Sequence, residues 1–187
     1  MPLQGSRGCE SLNIILIGMP GCGKTQIGKM LAAELGMRFK DCDRLIEEQC
    51  GMSIPEIFSE YGEKYFRDEE SRVIRGLDGI SNAVIATGGG CVERQCNIEQ
   101  LKKCGTVVFI NRSVADIAED VDVSGRPLLA DTDGGSRTAE LTRERLNSIY
   151  ERRIVLYRKC CDIETENSGT IDDAVKKITD GVKEYNG

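Results

Sequence analysis

The chain has 187 residues and a formal net charge of −6. This length suits one α/β domain with a buried core, and the acidic balance argues against nucleic-acid binding, which needs a basic face. The nine cysteines include no Cys-x-x-Cys pair and there is no histidine, which excludes histidine catalysis and argues against a zinc site. Residues 1–11 contain no apolar signal core, and no apolar run is long enough to span a membrane. These features favour reduced thiols in a cytoplasmic protein.

A strand predicted at residues 13–17 runs into a glycine-rich loop and then into a helical pattern. This phosphate loop, residues 18–25, has the spacing G-x-x-x-x-G-K-T, in which backbone N–H groups and the helix N-terminus bind phosphate oxygens. Lys24 is expected to reach the β- and γ-phosphates, and Thr25 to place its hydroxyl on a bridging Mg²⁺ ion. The residues predicted to hold the nucleotide here are Gly21, Cys22, Gly23, Lys24, Thr25 and Gln26. The loop predicts binding of a nucleoside triphosphate but does not identify the phosphoryl acceptor.

The rest of the chain continues an alternation of strands and helices. The predicted strands are residues 13–17, 37–40, 83–86, 106–110 and 162–165, and the predicted helices include 25–35, 97–104, 139–159 and 170–185. Residues 42–77 have a helical pattern with glycine breaks, which predicts a small substrate-binding subregion. The acidic, glycine-containing residues 122–136 predict a mobile lid. We therefore expect one domain over residues 12–187, preceded by a flexible tail at residues 1–11.

Two aspartates, Asp41 and Asp43, follow the second predicted strand. The carboxyl ends of parallel strands are where ligands bind in open α/β sheets, so both side chains are candidates for the site. Either could instead only cap the helix that follows, and the pattern leaves both interpretations open. Mg²⁺ often keeps several waters and takes few protein ligands, which makes Asp41 the candidate for contact through water.

Three arginines and a run of glycines are the remaining candidates. Arg67 precedes Glu70 on one helical face, where an exposed ion pair would explain both residues equally well. Arg126 lies in the predicted lid and Arg153 on the long helix at residues 139–159. Single arginines are commonly solvated, but together with a phosphate loop they suit phosphoryl transfer, which needs cations around a developing anion. Residues 88–90 are three consecutive glycines, which leave backbone N–H groups open to a ligand.

In this order and spacing, the motifs resemble the shikimate kinase family over residues 12–180, nearly the whole chain. The matching segments are residues 18–25, 41–43, 62–70, 88–90, 126–129 and 153–162. The resemblance implies a P-loop NTPase fold of three α/β/α layers, with five parallel strands in the order 2-3-1-4-5. It also implies transfer of a phosphoryl group from ATP, with Mg²⁺, to the 3-hydroxyl of shikimate.

The resemblance also assigns roles to individual residues. Asp43 is expected to contact the ring hydroxyls of shikimate. A carboxylate on the substrate suits two arginine side chains, each of which can donate two parallel hydrogen bonds, together with a glycine N–H. Asp43 would orient the attacking hydroxyl. This role is one of positioning rather than of strong base catalysis. The predicted catalytic residues are Lys24, Asp43 and Arg126; the substrate-binding residues are Asp43, Arg67, Gly88, Gly89, Gly90 and Arg153; the metal-binding residues are Thr25 and, through water, Asp41. Arg126 is also predicted to contact the nucleotide phosphates.

One stretch departs from the family pattern. An arginine that packs on adenine commonly precedes the lid, but residues 118–122 read Ala-Glu-Asp-Val-Asp, and residues 166–169 contain no cation either. ATP is still expected because the phosphate half of its site is complete. The alternatives are a gluconate-type or nucleoside monophosphate kinase of the same fold, or a catalytically silent ligand-binding homologue. We expect a monomer whose partner is the small molecule shikimate, with no nucleic-acid or membrane partner.

Overall fold

The computed structural model describes residues 13–120 and 139–187. The predicted N-terminal tail and the predicted lid at residues 122–136, with Arg126, lie outside the described residues. In the part that is described, none of the helices combines the length and the apolar composition needed to cross a bilayer.

Within these ranges the strands form one parallel sheet of five in the order β2-β3-β1-β4-β5, which confirms the predicted order. The strands are β1 (Ile14–Ile17), β2 (Arg38–Asp41), β3 (Ala83–Ala86), β4 (Thr106–Asn111) and β5 (Ile163–Glu166). Every residue of β1 and β3 is buried, as expected where helices cover both faces of a parallel sheet. The phosphate loop therefore leaves the central strand at the carboxyl edge of the sheet.

The helices are α1 (Lys24–Leu35), α2 (Cys42–Cys50), α3 (Ile54–Arg75), α4 (Gln95–Cys104), α5 (Val114–Asp120), α6 (Ala139–Cys160) and α7 (Ile171–Asn186), with a 3-10 turn at Cys91–Glu93. Helix α1 packs on α7, whereas α4 packs on α3 and α6, which gives three layers with the sheet in the middle. Helices α2 and α3 follow β2 and precede β3 in the chain, and they pack on each other. They occupy the residues for which a substrate-binding subregion was expected.

Two glycines set the helix boundaries that the sequence predicts. Gly36 ends α1 in the left-handed conformation at φ 64°. Gly62, at φ 77° and ψ 172°, interrupts α3 with a kink, as the predicted break requires. Several boundaries differ from the prediction by one or two residues. For example, β2 begins at Arg38, because the Met37 N–H donates to the Ala32 oxygen and so belongs to the end of α1. At its other end, β2 includes Asp41, which is therefore the last residue of the strand rather than the first residue after it.

Candidate active site

The phosphate loop lies between β1 and α1 and depends on glycine. Gly21 and Gly23 have φ angles of 83° and 98°, which side chains rarely allow. The loop is thereby turned back over the start of α1, where helix N–H groups are free to bind an anion. This is the concave backbone that the sequence motif predicts.

Lys24 is folded over this loop. Its side-chain Nζ donates to the oxygen of Gly18 at 2.9 Å and to that of Met19 at 2.8 Å, and the residue is buried. A buried ammonium held by main-chain carbonyls stays at the mouth of the loop. It is therefore placed to meet an anion that binds there.

Thr25 and Asp41 meet beside the loop. The Thr25 hydroxyl donates to Asp41 Oδ2 at 2.8 Å, and Asp41 Oδ1 accepts from the Asp43 N–H at 3.1 Å. Asp41 therefore caps α2, as one interpretation of the sequence had it, and also faces the phosphate loop. Hydroxyl and carboxylate oxygens are the ligands that Mg²⁺ prefers, so this pair fits the ion that the family implies. The described residues contain no group of three or more metal-ligating side chains, so phosphates and waters would supply the remaining ligands.

The glycine loop, residues 88–90, follows β3 and lies against the phosphate loop. A Cβ added to Gly89 would come within 2.7 Å of Pro20 Cδ, so the Gly89 backbone lies directly against the Pro20 ring of the phosphate loop. A Cβ added to Gly88 would lie 2.7 Å from Glu70 Oε1 and 2.8 Å from Asp43 Oδ1. Two carboxylates thus converge at the glycine loop, next to the phosphate loop.

The side chain of Tyr157 holds the glycine loop in place through a hydrogen bond. Its hydroxyl donates to the Gly89 oxygen at 2.5 Å, and its ring stacks on Phe109 with centroids 4.9 Å apart. Burial raises the pKa of Tyr157 well above its ordinary value, so the hydroxyl remains a hydrogen-bond donor. The Gly89 carbonyl is thereby held on Tyr157.

Arg67 is buried and forms an ion pair that is also buried. Its Nη1 donates to Glu70 Oε2 at 2.9 Å, and the two side chains are only 9% and 1% exposed, so the exposed pair considered from the sequence is not what forms. Burial acts to lower the pKa of Arg67, but Glu70 and Glu93 outweigh it and the pKa is raised. Burial raises the pKa of Glu70 despite the opposing charge of Arg67. The guanidinium lies against Gly90, where a Cβ would overlap it.

Arg153 reaches the same place from α6. It is fully buried, and its Nη2 donates to Glu93 Oε2 at 3.1 Å, an oxygen that also lies 3.5 Å from Arg67 Nη2. Among the described residues, Nε and Nη1 of Arg153 have no hydrogen-bond partner. A buried guanidinium with two free donors is a position where a further anion would bind. We call Arg67 and Arg153 the anion site.

Three residues at the site were not identified from the sequence. Glu93 contacts both arginines of the anion site. Arg112, just after β4, donates from Nη1 to the Gly21 oxygen at 3.4 Å and pairs with Asp120. Asn167, just after β5, donates to the Cys22 oxygen at 3.0 Å. The rule that ligands meet the carboxyl ends of parallel strands would have pointed to the last two.

Cys91 lies next to the site but is not suited to act as a nucleophile. The described cysteines are all free, and Cys91, directly after the glycine loop, is buried. Burial and the charge of Glu70 raise the pKa of the Cys91 thiol to about 12. A protonated thiol is a weak nucleophile, so the chemistry of the site depends on the carboxylates, arginines and Lys24.

Comparison with known proteins agrees with this geometry. The family model described as Shikimate kinase matches residues 20–183. A shikimate kinase of Clostridium botulinum (strain Eklund 17B / Type B) is 46% identical over 165 residues, which cover 88% of this chain and 93% of the relative. A solved structure of shikimate kinase from Acinetobacter baumannii in complex with shikimate has a TM-score of 0.85 at 34% identity, and the match covers 94% of this chain and 95% of that one. The chain therefore belongs to the shikimate kinase family.

Proposed function

We propose that this chain transfers the γ-phosphoryl group of ATP to the 3-hydroxyl of shikimate, giving shikimate 3-phosphate and ADP. The observation that carries the proposal is the anion site, in which Arg67 and Arg153 converge on one oxygen beside the phosphate loop. A small acceptor with a carboxylate and ring hydroxyls matches this pair of arginines and the neighbouring carboxylates. The relative from Acinetobacter baumannii, whose solved structure is in complex with shikimate, supports the same acceptor.

In this proposal the protein binds the acceptor at its carboxylate and at its attacking hydroxyl. Arg67, Arg153 and the Gly89 N–H bind its carboxylate, while Asp43 accepts a hydrogen bond from the attacking hydroxyl. Holding the hydroxyl near the phosphate loop turns an encounter between two molecules into a reaction within one complex. As the new O–P bond forms and the bond to the ADP oxygen breaks, Asp43 takes the hydroxyl proton.

The phosphate side is held by the phosphate loop and by cations. Lys24, with the N–H groups of residues 21–26, binds the β- and γ-phosphates, and Arg126 would add a further positive charge there. Thr25 and Asp41, the latter through water, would hold Mg²⁺, which neutralises phosphate charge when bound. We further propose that the protein is a cytoplasmic monomer and binds neither nucleic acid nor membrane, which size-exclusion chromatography and fractionation of cells would test.

An acceptor screen tests the proposal. Purified protein is given ATP and Mg²⁺ with shikimate, gluconate or a nucleoside monophosphate, and ADP formation is followed by a coupled assay. We expect ADP formation that depends on shikimate and on Mg²⁺. Turnover with gluconate or a nucleotide instead would establish another acceptor, and ATP binding without any acceptor-dependent turnover would identify a silent homologue.

A further inference from the structure

The anion site already contains a carboxylate that belongs to the protein. Glu93 Oε2 lies 3.1 Å from Arg153 Nη2 and 3.5 Å from Arg67 Nη2. We propose that Glu93 is an internal competitor for the substrate carboxylate, so that binding of the acceptor transfers these two arginines from Glu93 to shikimate. This inference rests on the proposed function, because it takes the acceptor to be a carboxylate.

The charge balance of the site favours such an exchange. Arg67, Arg152 and Arg153 are the cations there, and Glu63, Glu70 and Glu93 are the carboxylates paired with them. The set is neutral before any ligand binds. An additional carboxylate would give it an excess of negative charge in a largely buried place, where like charges repel strongly.

Of these three carboxylates, Glu93 is the one that contacts both arginines of the anion site and can also move away from them. Glu70 is almost fully buried against Arg67 at 2.9 Å, while Glu63 is half exposed and, among the described residues, forms an ion pair with Arg67 alone, at 3.4 Å. Glu93 is 23% exposed, and its second oxygen accepts from Arg152 Nη2 at 2.9 Å. Because the Arg152 side chain is 60% exposed, Glu93 keeps a cationic partner at the rim when it gives up Arg67 and Arg153.

Glu93 therefore weakens the binding of a carboxylate acceptor, since each binding event has to break its contacts with the anion site. Glu93→Gln keeps the shape of the side chain and removes its charge. We expect the dissociation constant for shikimate to fall about tenfold in this variant, as the loss of one nearby like charge predicts. If Glu93 instead only held the arginines in position, the same substitution would weaken binding.

The test is isothermal titration calorimetry of the whole protein with shikimate, without nucleotide, for wild type, Glu93→Gln and Glu93→Ala. Glu63→Gln is the matched control, because it removes a carboxylate that contacts Arg67 but not Arg153. The neutral amide of shikimate is the second probe. We expect both Glu93 variants to bind shikimate more tightly than wild type, and the amide to gain nothing from the loss of Glu93. We expect Glu63→Gln to bind shikimate nearly as wild type does, because Glu63 is half exposed and solvent screens its charge.

Unchanged or weaker shikimate binding in both Glu93 variants, with wild-type turnover of shikimate intact, would overturn the inference and leave the proposed function standing. Equal gains for shikimate and its amide would also overturn it, because the effect would then not depend on the carboxylate. If wild type neither binds nor phosphorylates shikimate, the proposed function is wrong and the inference falls with it.

Discussion

Replacing Arg153 by Met separates what this residue does for binding from what it does for folding. Arg153 is fully buried, and two of its donors have no hydrogen-bond partner among the described residues. Met has a similar length and no charge, so it fills the same space without leaving a donor unsatisfied. We expect Arg153→Met to bind shikimate poorly and yet to keep nearly the stability of wild type.

The structure gives the size of both effects. Each unsatisfied buried donor costs about 1–3 kcal/mol, whereas the charge-assisted hydrogen bond to Glu93 contributes about 1.5–3 kcal/mol. Replacing Arg153 also leaves Glu93 and Glu70 with one positive charge fewer, and removing one partner of a buried ion pair costs about 3–5 kcal/mol. Relief of the two unsatisfied donors offsets most of this cost, so the free energy of unfolding should change by less than about 2 kcal/mol. Loss of a desolvated contact to the substrate carboxylate should weaken binding by about 2–5 kcal/mol, which is at least tenfold.

Urea unfolding measures the stability, and calorimetry with shikimate measures the binding. Arg152→Met is the matched control: it lies next in the chain and pairs with the same Glu93, but its side chain is 60% exposed, so its free energy of unfolding should change by less than about 1 kcal/mol. Clear destabilisation of Arg153→Met would refute the argument from unsatisfied donors. Normal shikimate affinity in that variant would refute the anion site itself.

Three further predictions concern other parts of the site. Asp43→Asn should lower kcat more than it raises KM, because the role of Asp43 is to orient the hydroxyl; normal turnover would show that role to be wrong. Arg126→Ala should leave shikimate affinity of the free enzyme unchanged and lower turnover roughly 10³-fold, by analogy with arginines supplied in other P-loop enzymes, and near-normal turnover would show Arg126 to be a solvated charge. Gly90→Ala should raise KM for shikimate by displacing the Arg67 guanidinium. Gly181→Ala is its control, since that residue lies within α7 and a Cβ there would meet nothing closer than Ile163 Cγ2 at 3.4 Å.

Much of the fold could be predicted because its signals are local. The runs that form β1, β3 and the middle of β4 (residues 107–110) are continuously apolar, as strands covered on both faces must be. Thr170 and Asp173 cap α7 reciprocally, as the spacing predicts. The order of strands in the sheet has no such local signal. It depends on which strands pack side by side, and it was available only through the resemblance to a family.

The candidate site likewise has one part that local sequence signals predict and another part that they do not. The phosphate loop is contiguous, so its spacing alone indicates its chemistry. The anion site is assembled from α3 and α6, and only the family resemblance suggested that Arg67 and Arg153 meet. Glu93 could not be predicted to face them, because its direction is set by the short 3-10 turn after the glycine loop. No residue type or spacing marks a carboxylate in that turn as a partner of buried arginines.

The most direct test of the central claim is the identity of the phosphorylated product. Wild-type protein is incubated with ATP, Mg²⁺ and shikimate, and the mixture is followed by ³¹P nuclear magnetic resonance. We expect one new phosphomonoester signal, coupled to the proton on C3 of the shikimate ring, that grows in step with ADP. Inorganic phosphate as the only new product, or a phosphoryl group on another hydroxyl, would contradict it.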